Sequence, residues 1–127
     1  MLFVEDEVAL RDLMHRVLAK GGYTVLAAWD GLEALTLAES YPGRIDIVVT
    51  DVIMPRMSGP ELVGRLRRRD PAVRILYVSG YTADQLRSQT ADLGADATLL
   101  AKPFTSDGLL RKVREVLDRP RQPISSA

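Results

Sequence analysis

The sequence predicts an α/β protein of (βα)₅ pattern, a mainly parallel five-stranded sheet with helices on both faces. Three observations predict it. Aliphatic runs of strand length recur along the 127 residues, stretches with helical periodicity separate them, and capping and stop signals bound those stretches. Strands that alternate with helices need crossover connections, so neighbouring strands run parallel and the helices cover both faces.

Met1–Val4, Val25–Ala28, Ile45–Val49, Ile75–Val78 and Thr98–Ala101 are the strand candidates. Taken singly, such runs are ambiguous, and the amphipathic stretches between them decide. Leu10, Leu13, Met14, Val17 and Leu18 recur at helical spacing, as do Leu109, Leu110, Val113, Val116 and Leu117, which gives each helix one buried stripe. Asp30 with Glu33, Ser58 with Glu61 and Thr82 with Gln85 have capping-box spacing and mark helix starts. Gly21-Gly22 and Gly94 stand where a left-handed residue closes a helix, and Pro71 follows an Arg-rich helix end. From Arg119 onward, Pro120, Pro123 and Ser125-Ser126 predict an unstructured tail. The expected division is one domain over 1–118 and a flexible tail over 119–127. There is no internal repeat or low-complexity tract. The first strand is short at its start, which suggests a trimmed or excised piece of a longer protein.

Composition narrows the function classes. With 46% hydrophobic and 27% charged residues, the chain has the balance of a globular domain rather than a disordered one. Lys plus Arg and Asp plus Glu are both 17, so no global field draws it to nucleic acid or anionic lipid, and a partner must be recognised locally. The absence of Cys excludes disulfides, thiolate metal sites and cysteine nucleophiles and fits a reducing compartment. One histidine, His15, leaves little room for histidine-based zinc. Apolar runs fall far short of the roughly 20 residues that cross a bilayer, and the N-terminus lacks a signal-peptide pattern. A cytoplasmic protein is expected. Arg65, Arg67, Arg68 and Arg69 resemble a phosphate-backbone patch, but positive charge at a helix C-terminus is favourable and common, so nucleic-acid contact is not expected. Trp29 follows the second strand, where packing and recognition are both open readings.

The polar residues fall in a pattern. In an open parallel sheet, ligands bind outside the carboxyl ends of the strands. Glu5-Asp6 follows strand one, Asp51 ends the run of strand three, Ser79 ends strand four and Lys102 ends strand five. Clustered acids repel, so without a counter-ion at least one has a raised pKa. Glu5, Asp6 and Asp51 offer oxygen ligands only, which suits Mg²⁺, or Mn²⁺, better than zinc. Lys102 offers a mobile cation and Ser79 a hydroxyl donor, the equipment for neutralising a phosphoryl group in transfer, and Asp51 is then the natural nucleophile.

These residues resemble a known family. Phe3-Val4-Glu5-Asp6-Glu7, Val49-Thr50-Asp51-Val52-Ile53-Met54-Pro55-Arg56-Met57-Ser58-Gly59, Ser79-Gly80-Tyr81 and Lys102-Pro103-Phe104 are similar to the four blocks of the two-component response-regulator receiver domain, over nearly the whole chain. The resemblance implies a flavodoxin-like doubly wound sheet of order 2-1-3-4-5, which sets strand one beside strand three. It implies that Asp51 accepts a phosphoryl group from a phosphohistidine, and that Glu5, Asp6, Asp51 and the backbone carbonyl of Ile53 hold Mg²⁺. It further implies that Lys102 and Ser79 contact the acyl phosphate and that Lys102-Pro103 is a cis peptide. His15 then reads as a helix-surface or boundary residue, not a phosphodonor.

The partners implied are a histidine kinase or histidine phosphotransfer domain, and a downstream protein or the kinase domains of the same polypeptide. They would meet a monomer or weak dimer through the face of the fourth and fifth helices and the fifth strand. Ser79-Gly80-Tyr81 looks more like receivers of hybrid histidine kinases than of transcription factors. No output domain is expected within these residues, so direct DNA binding and membrane contact are not. The domain would catalyse only its own phosphorylation and dephosphorylation. One position departs from the family: an aromatic usually stands three residues before the lysine, and here it is Leu99. That puts the usual aromatic relay in doubt and leaves open whether Tyr81 replaces it. The rival readings are a pseudo-receiver that binds without being phosphorylated, and a phosphohydrolase of the haloacid-dehalogenase kind. The complete polar set argues against the first. Ile53, where the second acid would be, argues against the other. A P-loop enzyme is excluded because no Gly-rich loop ends in Lys-Ser or Lys-Thr.

Overall fold

The computed structural model describes residues 1–80 and 97–120. Five strands, β1 (Leu2–Val4), β2 (Leu26–Ala28), β3 (Ile47–Asp51), β4 (Arg74–Ser79) and β5 (Thr98–Ala101), form one sheet in the order β2-β1-β3-β4-β5. Every pairing is parallel. The described helices are α1 (Val8–Lys20), α2 (Gly31–Ser40), α3 (Gly59–Arg69) and α4 (Ser106–Leu117). The helix start expected at Thr82 and Gln85, the stop at Gly94, and Tyr81 lie outside the described residues, as do residues 121–127 of the tail expected over 119–127.

The alternation of side chains along each strand separates two cores. Phe3, Ile47, Val49, Leu76 and Val78 pack on Met14 and Leu18 of α1 and on Leu109, Val113 and Val116 of α4. Leu2, Val4 and Val48, on the opposite face, pack on Ala34 of α2 and on Leu62 and Leu66 of α3. The aliphatic runs are therefore buried on both sides, the condition that makes parallel strands read as continuous hydrophobic stretches.

Strand ends differ from the sequence reading in an informative way. β3 runs on through Thr50 and Asp51, which pair with Tyr77 and Val78, because a ladder joins backbone groups and does not stop where apolar side chains stop. Register aligns the carboxyl ends: Val4 sits level with both Ala28 and Thr50, so the next residues, Glu5 and Asp51, end adjacent strands side by side.

The caps fall largely as the spacing predicts. The Glu33 amide donates to Asp30 Oδ1 at 2.8 Å and the Glu61 amide to Ser58 Oγ at 3.2 Å. Glu33 Oε1 in turn accepts from the Trp29 amide at 3.0 Å, one residue before the reciprocal partner of a standard box. α1 closes at Gly22, whose φ of 99° is left-handed, with Gly22 N–H bonded to Ala19 and Tyr23 N–H to Leu18, the paired bonds of a Schellman stop. Arg119, read from sequence as the start of the tail, is tied to the sheet. Its Nη1 donates to Thr98 Oγ1 at 2.6 Å, and its carbonyl accepts from Arg74 Nη1 at 3.0 Å.

Candidate functional site

Four strand ends and one loop build the site. Glu5 leaves β1 fully engaged: its amide donates to Ala28 O at 3.0 Å, its carbonyl accepts from Arg11 Nη1 at 3.1 Å, and Oε2 accepts from the Glu7 amide at 3.1 Å. Glu7 is the N-cap of α1 without capping through its own side chain, so the Glu5 carboxylate takes over one of the free N–H groups of that helix start. The role of Arg11 carries no sequence motif that would announce it.

Asp51 ends β3, buried. Behind it, Gly59 at the start of α3 donates to Val52 O at 2.7 Å, and a Cβ on Gly59 would come 2.3 Å from the Asp51 carbonyl oxygen. That closeness is why the Asp51 block ends in glycine. Pro55, Arg56 and Met57 turn the chain from β3 to α3, with Arg56 at a left-handed φ of 69°. Arg56 Nη2 reaches Asp30 Oδ2 at 3.4 Å, so the α2 cap also tethers this loop.

Lys102 follows β5 and its peptide bond to Pro103 is cis, as the resemblance implied. Its amide donates to Ser79 O at 2.8 Å, and its ammonium lies 2.8 Å from Glu5 Oε1 and 2.9 Å from Asp51 Oδ1. Ser79 ends β4 and is buried. Ile53 is exposed on the loop after Asp51. One carboxylate oxygen each from Glu5, Asp6 and Asp51 lies within 4.8 Å of the others, a group able to hold a metal ion, with Asp6 exposed and the other two buried.

The charges answer to burial and to each other. Burial, with the neighbouring Glu5 charge, pushes the Asp51 carboxyl up to about 7 against the pull of Lys102. Sharing a hydrogen bond with Glu5, and to a lesser degree burial, raises Asp6. Burial would also raise Glu5, but hydrogen bonds from Lys102 and the Glu7 amide outweigh it and hold that carboxyl below the ordinary range. Lys102 loses some solvation, yet its two carboxylate partners hold it above the usual lysine value. Two raised acids on an all-oxygen cluster are the electrostatic signature of a site that favours a cation.

Beside Asp6 a cleft of about 340 Å³ is lined by Val8, Arg11, Trp29 and Arg56. Trp29 is 55% exposed there, so its ring belongs to the site rim rather than the core. His15 is half-buried on α1. Leu99 packs against Val52, Val63, Ile75 and Tyr77, so the position where the family carries an aromatic holds a partly buried aliphatic residue at the edge of the core.

Comparison with known proteins agrees with this geometry. The family model described as response regulator receiver domain matches residues 1–114. The sensor kinase CckA of Brucella abortus is 43% identical over 121 residues, covering 94% of this chain and 12% of that protein. The response regulator MprA of Mycobacterium ulcerans is 38% identical over 121 residues, covering 95% of the chain and 51% of that protein. The chain thus spans about half the length of MprA and about an eighth of CckA. Among solved structures, the receiver domain of the hybrid histidine kinase CckA superposes with a TM-score of 0.77 at 38% identity, covering 92% of this chain and 97% of that one. The chemotaxis protein CheY4 of Vibrio cholerae gives 0.78 at 32% identity, covering 91% and 95%. With one family description running over residues 1–114 and relatives aligned over more than nine-tenths of it, this chain belongs to the response regulator receiver domains of two-component systems.

Proposed function

We propose that this receiver domain accepts a phosphoryl group on Asp51 from the phosphohistidine of a histidine kinase or histidine phosphotransfer domain, and that the modification switches a protein contact. The observation that carries the reading is the Lys102 ammonium held between Glu5 and Asp51 at 2.8 and 2.9 Å, within a carboxylate cluster at the strand ends. Asp51 is the carboxylate of that cluster with its charge least stabilised, and a buried, poorly solvated oxygen is the better nucleophile once ionised. Its oxygen would form the bond to phosphorus as the phosphorus–nitrogen bond breaks, the electron pair staying on the donor imidazole. Lys102 would then shift from Asp51 toward an equatorial phosphoryl oxygen, and Ser79 would donate to another.

Glu5, Asp6, Asp51 and the carbonyl of Ile53 would hold Mg²⁺, or Mn²⁺, which when bound neutralises charge on the transferring group. The donor set fits: oxygen ligands only, close together and anionic. The same residues would serve water attack on the aspartyl phosphate, so the domain would catalyse its own phosphorylation and dephosphorylation and nothing else. We place the receiver unit at 1–118, extended by Arg119 through its bonds to Thr98 and from Arg74, in the cytoplasm, as the receiver of a hybrid histidine kinase, in keeping with its likeness to CckA.

The test is intact-protein mass after incubation with acetyl phosphate and Mg²⁺, beside Asp51→Asn and a chelated control. The expected result is one added phosphoryl group on the wild type alone. A folded, Mg²⁺-binding protein that gains no mass would make the chain a pseudo-receiver.

A further inference from the structure

Away from the Asp51 site, α2 and α3 leave a groove between them. Cavities of about 390 and 350 Å³ share Ala38, Leu66 and Arg69, so they form one continuous trough. It runs toward the amino ends of β3 and β4, where Ile45 and Val73 line it. Its floor is aliphatic, with Leu35, Ala38 and Leu66 along its length.

Its rim is cationic. Arg65, Arg68 and Arg69 stand at the i, i+3, i+4 spacing that gathers side chains on one flank of a helix. Arg44 faces them from the loop before β3. All four are exposed, and among the described residues none has a side-chain ion pair or hydrogen bond. Among the described residues the lining carries two acids, Glu39 and Asp70, and Asp70 already accepts from the Ala72 amide. The dipole of α3 favours cations at its C-terminus, but Arg44 sits on a loop across the groove where that explanation does not reach. A chain with equal numbers of acidic and basic residues therefore gathers four unpaired guanidinium groups around one apolar trough.

We propose that this groove docks an acidic amphipathic helix of a partner protein, apolar stripe on the aliphatic floor and flanking carboxylates on the arginine rim. Helix-in-groove recognition lays the apolar face of an amphipathic helix on an apolar floor, and a guanidinium rim adds a match for flanking carboxylates, which it suits better than ammonium groups would. α3, at 11 residues, is about 16 Å long and accommodates about three turns of a partner helix. Among the described residues Tyr41 supplies the lining's one aromatic ring, too few to stack successive bases of a single strand. The surface is concave, whereas a bilayer is met by a protruding apolar face. The proposal is independent of phosphoryl transfer, since none of these residues belongs to the Asp51 site.

The experiment is an amide-shift titration of the ¹⁵N-labelled chain by NMR with a synthetic helical peptide carrying Leu at i, i+3, i+4 and i+7 and Glu at the flanking positions. A scrambled peptide of equal composition, duplex DNA and phosphatidylserine-containing vesicles are titrated in parallel. The amphipathic peptide should shift amides of α2, α3 and the loop before β3. Its affinity should fall about tenfold when Arg44, Arg65, Arg68 and Arg69 are changed to Gln, and stay unchanged in Arg16→Gln on α1. Unchanged resonances of the Asp51 site in the quadruple variant verify its fold. Equal binding of the scrambled peptide, shifts elsewhere, tighter binding of DNA or vesicles, or no shift at about 1 mM peptide would each overturn the proposal.

Discussion

Lys102 holds its ammonium 2.9 Å from Oδ1 of Asp51 although the strands that carry them are not neighbours. β4 lies between β3 and β5, and the lysine reaches over its end, anchored by its own amide on the Ser79 carbonyl. The same ammonium contacts Glu5 at 2.8 Å, so one cation ties the ends of β1, β3 and β5 around two buried acids.

Removing that cation leaves two carboxylates facing each other in a poorly solvated place. Lys102→Met should lower the stability of the metal-free protein by about 1–3 kcal/mol at pH 8, less at pH 6 where Asp51 carries a proton. Urea denaturation at the two pH values measures it, and equal losses at both would contradict the coupling to Asp51.

The raised Asp51 pKa sets the direction of the pH dependence. Between the ordinary Asp value and about 7 the folded state holds a proton that the unfolded state releases. Its contribution to stability therefore falls as pH rises through that window. Glu5, held below its ordinary range, acts oppositely and loses its contribution under more acidic conditions. If Asp51 ligates Mg²⁺, the ion competes with the Asp51 proton, so apparent affinity should drop about tenfold from pH 8 to pH 6. Calorimetry in buffers of different ionisation enthalpy should detect proton release near pH 6.5, and a pH-independent affinity would refute the assignment.

Gly59 tests the backing of Asp51. An added Cβ would lie 2.3 Å from a backbone oxygen that cannot swing away, so Gly59→Ala should destabilise by about 1–3 kcal/mol and slow phosphorylation by displacing the end of β3. Gly31→Ala meets the side chain of buried Met57, its Sδ at 2.6 Å and its Cβ at 3.1 Å, which can turn aside in part, so its thermal midpoint should fall less than that of Gly59→Ala. Thermal melts of the pair give the comparison.

Arg56 balances an unfavourable backbone against a weak tether. Its φ of 69° suits glycine, while its ion pair with Asp30 spans 3.4 Å with the arginine largely exposed. Such pairs contribute about 0–1 kcal/mol. Stability should therefore follow the order Arg56→Gly at or above wild type and Arg56→Ala below it. Asp30→Ala, which also loses the α2 cap, should cost about 1 kcal/mol. Chemical denaturation of the three variants reads the order directly.

Much of the site was legible because its residues sit where local pattern changes character. Glu5, Asp51, Ser79 and Lys102 each follow an aliphatic run, and a parallel sheet carries all such ends to one edge. Arg11 on the Glu5 carbonyl, Gly59 against the Asp51 carbonyl and Arg56 on Asp30 were not legible as contacts. Each joins residues whose nearness depends on how an element packs, and no spacing rule encodes it. The sequence also placed Arg119 in the tail, where Pro and Ser composition pointed, while long-range bonds to Thr98 and from Arg74 hold it to the sheet.

Local sequence pattern was enough for the alternation of strands and helices, the caps of α2 and α3, the glycine stop of α1 and the polar identity of the strand ends. Periodicity and capping are local, and local rules are written in neighbouring residues. The strand order as an observation, the level register of Glu5 with Asp51, the shared ammonium of Lys102 and the burial that raises Asp51 emerge from the folded chain alone. Those depend on distances between segments far apart in the chain, and such distances are set by packing two helical layers on one twisted sheet.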